Sequence, residues 1–236
     1  MSKQKTAPNV VRLDVQRPES LSADVIHLYV VSVRTLPFDD QSLNSYLNED
    51  EQARASRFIN PEHGQQFRRV RGVLRYLLAH YLDIAPPAVK FEYAKHGKPS
   101  IKANPTLYFN LSHSRDMAAY AFSLEHELGV DIEFMREQSN LAGMISHVGS
   151  EKEQRALLSL QGPEVYEAFY RLWTRKEAFI KAVGRGLGMG LRSIHVGVDA
   201  SSSLIEVDYK DRHQPEWCLK DLDAPQGYKL ALCCKN

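Results

Sequence analysis

The chain has 236 residues, 43% apolar and 25% charged, with a formal net charge of +1. This is the composition of an ordinary globular protein of one or two domains that can bury a core without staples. Near-neutral charge removes the global reason to expect a nucleic-acid or membrane partner.

The N-terminus, Met-Ser-Lys-Gln-Lys-Thr, has no apolar core behind it, so no signal peptide is expected. Residues 1–22 are polar, with scattered apolar positions and two prolines, and read as a loose arm. Val25 to Val33 is β-branched and aromatic and predicts a buried strand. Residues 39–59 carry helical spacing up to the Asn60-Pro61 break. A second helix is predicted from Pro61 to Leu82, with Phe67, Val70, Leu74, Leu77, Leu78 and Tyr81 on one stripe. Lys90–Tyr93 reads as a short strand and His96–Pro99 as a turn. Leu107–Leu111 and Met117–Phe122 read as two further strands joined by Ser112–Asp116.

A similar order of elements follows. A strand at 128–134 leads into a helical zone at 138–161 and a long helix at 163–183. Three strand candidates close the chain, at Ile194–Val198, Trp217–Leu222 and Tyr228–Cys233. Elements in segregated runs predict an α+β protein. The expected division is an N-terminal half, 1–124, and a C-terminal half, 125–236. Cys218, Cys233 and Cys234 form no CxxC pair, which argues against a zinc site or a disulfide framework and fits a reducing compartment. No apolar run approaches the ~20 residues of a membrane span, so the expected location is the cytoplasm.

Two stretches carry the strongest chemical signal. In Gly129-Val130-Asp131-Ile132-Glu133, alternation puts both carboxylates on one face. Like charges so placed repel unless a cation intervenes. In Leu172–Val183, Glu177 and Lys181 lie one helical turn apart on one face. Three carboxylates and an ammonium on two elements can make a magnesium and phosphate site, since hard oxygen ligands suit magnesium. A basic helix adds Arg54, Arg57, Arg68, Arg69, Arg71 and Arg75 against a single acid, Glu62. Guanidinium forks suit phosphate oxygens. Adjacent Ser112 and His113 point to opposite strand faces, which suits them poorly as nucleophile and base. His113 reads better as a phosphate donor.

These stretches, in this order, resemble the 4′-phosphopantetheinyl transferases of the Sfp type. The resemblance runs from about Phe58 to Leu191 and rests on GKP at 97–99, FNLSHS at 109–114, GVDIE at 129–133 and WTRKEAFIKAVGRGL at 173–187. It implies two similar α+β halves in a pseudo-twofold arrangement, a monomer, and coenzyme A in the cleft between the halves. It implies transfer of the phosphopantetheine arm to a serine of an apo acyl, polyketide or peptidyl carrier protein, with release of 3′,5′-ADP. Asp131, Glu133 and Glu177 would hold Mg2+, and Lys181 would contact the pyrophosphate. Gly97, Lys98 and Pro99 would lie by the adenine and 3′-phosphate. Ser112 and His113 would hold phosphate, and Arg71 and Arg75 would add contacts. The family's glutamate proposed as base has two candidates here, Glu151 and Glu153, of which Glu153 matches the local pattern better. Met135, Arg136, Leu141, Met144 and Ile145 are expected at the carrier surface.

Overall fold

The structure, a computed structural model, describes residues 8–102, 104–200, 206–210 and 212–236. The arm expected at 1–22 carries a strand: β1 (Asn9–Arg12) runs parallel to β2 (Val25–Ser32), while residues 1–7 lie outside the described residues. Four residues without alternation give no strand signal; the neighbouring strand supplies the order.

The helical stretch at 39–59 is two helices, α1 (Asp40–Ser45) and α2 (Glu49–Ser56). Asn48 divides them by capping α2 through Glu51 N at 2.9 Å, while Glu51 reaches back to the Asn48 backbone N–H. The long helix α3 (Pro61–Leu82) starts as predicted, with Asn60 as cap and Pro61 in the first turn. A small hairpin follows, β3 (Phe91–Tyr93) and β4 (Pro99–Ile101). Next come β5 (Tyr108–Ser114) and β6 (Met117–Ser123).

The first sheet has the order β1-β2-β6-β5, and the apolar stripe of α3 covers one face of it. Val73, Leu74 and Leu77 are buried there against Tyr29, Tyr120 and Phe122.

β7 (Leu128–Phe134) opens the second part of the chain. The helical zone at 138–161 divides into α4 (Leu141–Val148) and α5 (Glu151–Leu158), because Ser150 and Glu153 form a capping box that starts a new helix. α6 (Pro163–Val183) is the long helix the periodicity predicts. Three short strands follow, β8 (Ile194–His195), β9 (Asp208–Tyr209) and β10 (Arg212–His213), then β11 (Trp217–Leu222) and β12 (Tyr228–Lys235). The second main sheet has the order β11-β12-β7. α6 lies on it, burying Phe169, Leu172 and Phe179 with Leu219 and Cys233. A third apolar cluster joins the two sheets through Ile26, Leu28, Ala119, Ala121, Val130, Ile132, Leu230 and Leu232. The architecture is α+β, as the segregated element order predicts.

Two details bring the sheets and α6 together at one line. Gly129 lets α6 approach β7 backbone to backbone: a Cβ there would lie 2.8 Å from the Lys181 carbonyl carbon, and closer still to Ala178 O and Ala182 N. β5 and β7 lie side by side without a shared ladder, and alternate side chains of β5 do the joining. Asn110 accepts from Val130 N at 3.0 Å, Ser112 donates to Asp131 at 2.8 Å, and Ser114 donates to Glu133 at 2.7 Å while accepting from Phe134 N at 3.2 Å.

Candidate active site

The cleft along that seam holds the acidic strand and the charged face of α6. A cavity of 490 Å³ is lined by Leu111, Ser112, His113, Asp131, Glu133, His147, Trp173, Glu177, Lys181 and Leu191. A second hollow of 220 Å³ shares Leu111, Glu177 and Lys181 with it and is lined further by Gly97, Lys98, Pro99 and Gly184. Together they form one elongated cleft with the acids towards one end and the GKP turn at the other.

Lys181 is the hub. Its ammonium donates to Asp131 Oδ1 at 2.6 Å, to Ser112 Oγ at 2.9 Å and to Val130 O at 3.3 Å. Asp131 is almost wholly buried, yet its second oxygen, Oδ2, has no partner; neither does Oε1 of Glu177. An unsatisfied buried carboxylate oxygen is costly, so two facing one cavity call for a donor or a cation. Burial, then the charges of Asp131 and Glu133, push the Glu177 carboxyl up to about 7 despite the nearby Lys181 ammonium. Burial and Asp131 likewise raise Glu133, against Ser114 and Lys181. Three carboxylates and one ammonium leave a formal charge of −2 in the cleft when all are ionised, which a divalent cation would offset. The three carboxylates do not close to a set of oxygens within 4.8 Å of one another; among the described residues Asp24, Glu125 and His126, outside the cleft, do.

The GKP turn sits where α6 ends. Gly97 takes φ +84°, and its N–H closes the turn on Ala94 O at 2.8 Å. Lys98 extends to the end of α6 and donates to Ala182 O at 2.7 Å and Leu128 O at 3.1 Å. Burial pulls its ammonium down to about 8. Gly184, in the left-handed conformation that ends α6, leaves room for it: a Cβ there would lie 3.0 Å from Lys98 Cδ. His113 lines the cavity with one face open to solvent, and desolvation and the Lys181 charge hold its imidazole below the usual range.

Other expected site residues lie elsewhere. Arg75 is 0% exposed, its guanidinium bonded to Glu51, Pro86 O and Val89 O. Arg71 also pairs with Glu51, lies 3.8 Å over the Phe91 ring and donates to Tyr93 Oη at 3.0 Å. The basic face of α3 is thus turned onto α2 at these two positions. Arg75 is out of reach of a ligand, and neither arginine lines the cleft. The expectation missed Glu51 because it lies three residues before the Arg54–Arg75 window and twenty or more residues from its partners.

Glu153 needs a similar correction. It is buried, and it accepts from Lys176 Nζ at 2.6 Å, Ser150 N at 2.9 Å and, through its other oxygen, Val196 N at 2.9 Å. Burial alone would raise its carboxyl, but the Lys176 charge and these donors leave it below the ordinary value. It lines a different cavity, of 550 Å³, with Arg175 and His195. Both oxygens are engaged outside the cleft: in this structure Glu153 braces Ser150, Lys176 and Val196 and does not line the cavity of Asp131 and Glu177.

The same account covers the charged run in α6. Arg175 grips Asp221 with two bonds of 2.9 and 2.6 Å, Lys176 grips Glu153, and Glu177 faces the cavity. At the expected carrier surface, Ile145 is buried in the core, while Met135, Leu141 and Met144 pack half-buried against it. His147 and Trp173 line the cavity without having been singled out. Trp173 stands four residues before Glu177, which was the available signal; nothing local marks His147.

Residues 127–233 match the model of the 4′-phosphopantetheinyl transferase superfamily. The 4′-phosphopantetheinyl transferase HetI of a Nostoc species is 34% identical over 206 residues, covering 86% of this chain and 84% of that protein. The 4′-phosphopantetheinyl transferase Sfp of Bacillus subtilis is 29% identical, covering 80% and 88%. A solved holo-[acyl-carrier-protein] synthase of Thermotoga maritima overlays with a TM-score of 0.35 at 18% identity, over 47% of this chain and 62% of that one, too loose a likeness to carry an argument. The chain belongs to the Sfp-type 4′-phosphopantetheinyl transferase family.

Proposed function

We propose that this protein transfers the 4′-phosphopantetheine arm of coenzyme A to a serine of an apo acyl, polyketide or peptidyl carrier protein, with release of 3′,5′-ADP. The observation that supports this best is the pair of unpartnered buried oxygens, Asp131 Oδ2 and Glu177 Oε1, in one cavity with Lys181. These donors fit a hard divalent cation. Asp131, Glu133 and Glu177 would hold Mg2+, which when bound neutralises charge on the pyrophosphate.

The chain's own residues do the rest by positioning. Lys181 places a cation where charge grows as the bond to 3′,5′-ADP breaks. Ser112, on the phosphate side of β5, sets Lys181 and Asp131 in register, donating its one hydroxyl hydrogen to Asp131 and accepting from Lys181. His113 is the donor of β5, at the 3′-phosphate. The Gly97–Pro99 turn takes the adenine end, supported by the hollow that continues from the acidic cavity. On this reading residues 1–124 form the coenzyme A half and 125–236 the metal and carrier half, in pseudo-twofold relation. No helix among the described residues is long and apolar enough to cross a membrane. The working form we propose is a cytoplasmic monomer serving fatty-acid, polyketide or nonribosomal-peptide synthesis.

Mass spectrometry of apo carriers incubated with the protein, coenzyme A and magnesium tests this. A gain of ~340 Da on one serine is expected, the mass of the added arm. No gain on any acyl or peptidyl carrier would refute the reading.

A further inference from the structure

A histidine outside the cleft has one ring nitrogen that the fold leaves unsatisfied. His126 lies between β6 and β7, where the chain crosses from the first sheet to the second. Its Nδ1 is 2.7 Å from the carbonyl oxygen of Lys235, the last residue of β12. A carbonyl can only accept, so Nδ1 carries the hydrogen and the neutral ring keeps its lone pair on Nε2. Nε2 is shut off from solvent and has no hydrogen-bond partner.

Two carboxylates stand beside that nitrogen. One oxygen each from Asp24 and Glu125 and a ring nitrogen of His126 lie within 4.8 Å of one another, and Nε2 is 4.0 Å from Asp24 Oδ1. At 4.0 Å the oxygen is beyond hydrogen-bonding range, so it does not satisfy the ring. Asn9 N donates to the Asp24 carbonyl at 3.1 Å and holds that residue at the head of β2. Ser123 Oγ accepts from Glu125 N and His126 N at 3.3 and 3.1 Å and holds the other two. Ligands about 2.1 Å from a tetrahedral ion stand about 3.4 Å apart. The set therefore has to close by about 1.4 Å at most, which rotation of the two exposed carboxylates supplies without moving the ring. One imidazole nitrogen with two carboxylates also selects the metal. Imidazole suits zinc and its neighbours, Mg2+ takes oxygen ligands, and Mn2+ stands at the bottom of the affinity order. A ligating histidine whose other N–H is bonded to a backbone carbonyl is the usual arrangement around such ions. None of the three is a cysteine, so cysteine spacing gives no sign of this set.

We propose that Asp24, Glu125 and His126 bind one divalent ion of the zinc class, with water completing its shell, and that this ion clips the head of β2 to the crossover between the two sheets. The site is separate from the cleft, and the inference does not depend on the transferase reading. Its test is calorimetric titration of the untagged full chain with Zn2+ in excess Mg2+, followed by melting curves. One Zn2+ per chain is expected, with the melting temperature raised by about 5 °C or more at free zinc a hundredfold above its Kd. Asp24→Asn and His126→Ala are each expected to weaken zinc binding about tenfold or more and to lose most of that rise. Glu177→Gln and Cys218→Ser are expected to bind zinc as the wild type does. Asp24→Asn changes an exposed group only, so it decides the matter if His126→Ala, which also gives up the Lys235 bond, melts early without zinc. A wild-type chain that takes up no zinc, or zinc binding unchanged in Asp24→Asn, would overturn the inference. So would zinc binding lost in Glu177→Gln or Cys218→Ser, which would place the ion in the cleft or on a thiolate.

Discussion

Replacing Gly129 by alanine tests how the site is assembled without touching a charged group. The added methyl would lie 2.8 Å from the Lys181 carbonyl carbon, where ordinary contact begins near 3.4 Å, and two other α6 backbone atoms are closer still. α6 or β7 must therefore give by more than about 0.6 Å, the difference between those distances. Both elements are regular and buried, so the shift spreads along them and is not absorbed by a rotamer. Overpacking of this kind costs about 1–3 kcal/mol. The shift also moves Glu177 and Lys181 away from Asp131, and a misplacement near 1 Å can cost about a hundredfold in rate. Gly129→Ala is thus expected to stay folded, with a lowered melting temperature and a rate of carrier loading at saturating magnesium reduced about 10–100-fold. Near-normal loading and melting together would refute the claim that close approach at Gly129 sets the site.

Glu153→Gln leaves the buried Lys176 charge without its counterion, so it is expected to cost about 3–5 kcal/mol of stability. The folded fraction should keep most of its turnover and its pH profile; a stable variant with turnover lost a hundredfold or more would restore Glu153 as the base. Asp131→Asn and Lys181→Met are each expected to abolish loading without unfolding the protein, since each removes one side of a 2.6 Å ion pair at the edge of the cavity. Full activity in either would contradict the role given to that pair. For pH, the folded Glu177 carboxyl sits at about 7 against an ordinary 4.5, so between those values the folded protein holds a proton the unfolded chain has released. Metal-free stability should therefore fall as pH rises through that window. Added magnesium should reverse the fall above about pH 7, because the metal needs the ionised carboxylate. Melting curves of wild type and Glu177→Gln from pH 5 to 7.5 compare this directly; equal slopes would count against the assignment.

Much of the site was legible because its parts are local. Strand alternation put Asp131 and Glu133 on one face, and helical spacing joined Glu177 to Lys181. Asn110, Ser112 and Ser114 share a face of β5 by the same alternation, but only Ser112 and His113 were read from that strand, and the joint with β7 shows in the structure alone. The glycine in GVDIE was also a signal, since a glycine inside a strand marks a close backbone approach. Glu153 shows a signal read in the wrong sense: Ser150 followed three residues later by a glutamate is the pattern of a helix cap, and that is the work it does. Arg75 was not legible. It was read as part of a basic face suited to phosphate, and only the packing of α2 brings Glu51 onto it. β1 failed for the same reason, being ordered by β2 and not by its own pattern.

The claim on which the account depends is that Asp131, Glu133 and Glu177 bind one divalent ion against a phosphate ligand. Electron paramagnetic resonance of Mn2+ added to the protein with coenzyme A measures it directly. The account predicts one bound Mn2+ per chain, displaced by excess Mg2+, and loss of that binding in Glu177→Gln while the variant still melts cooperatively. Unchanged Mn2+ binding in folded Glu177→Gln and Asp131→Asn would contradict it.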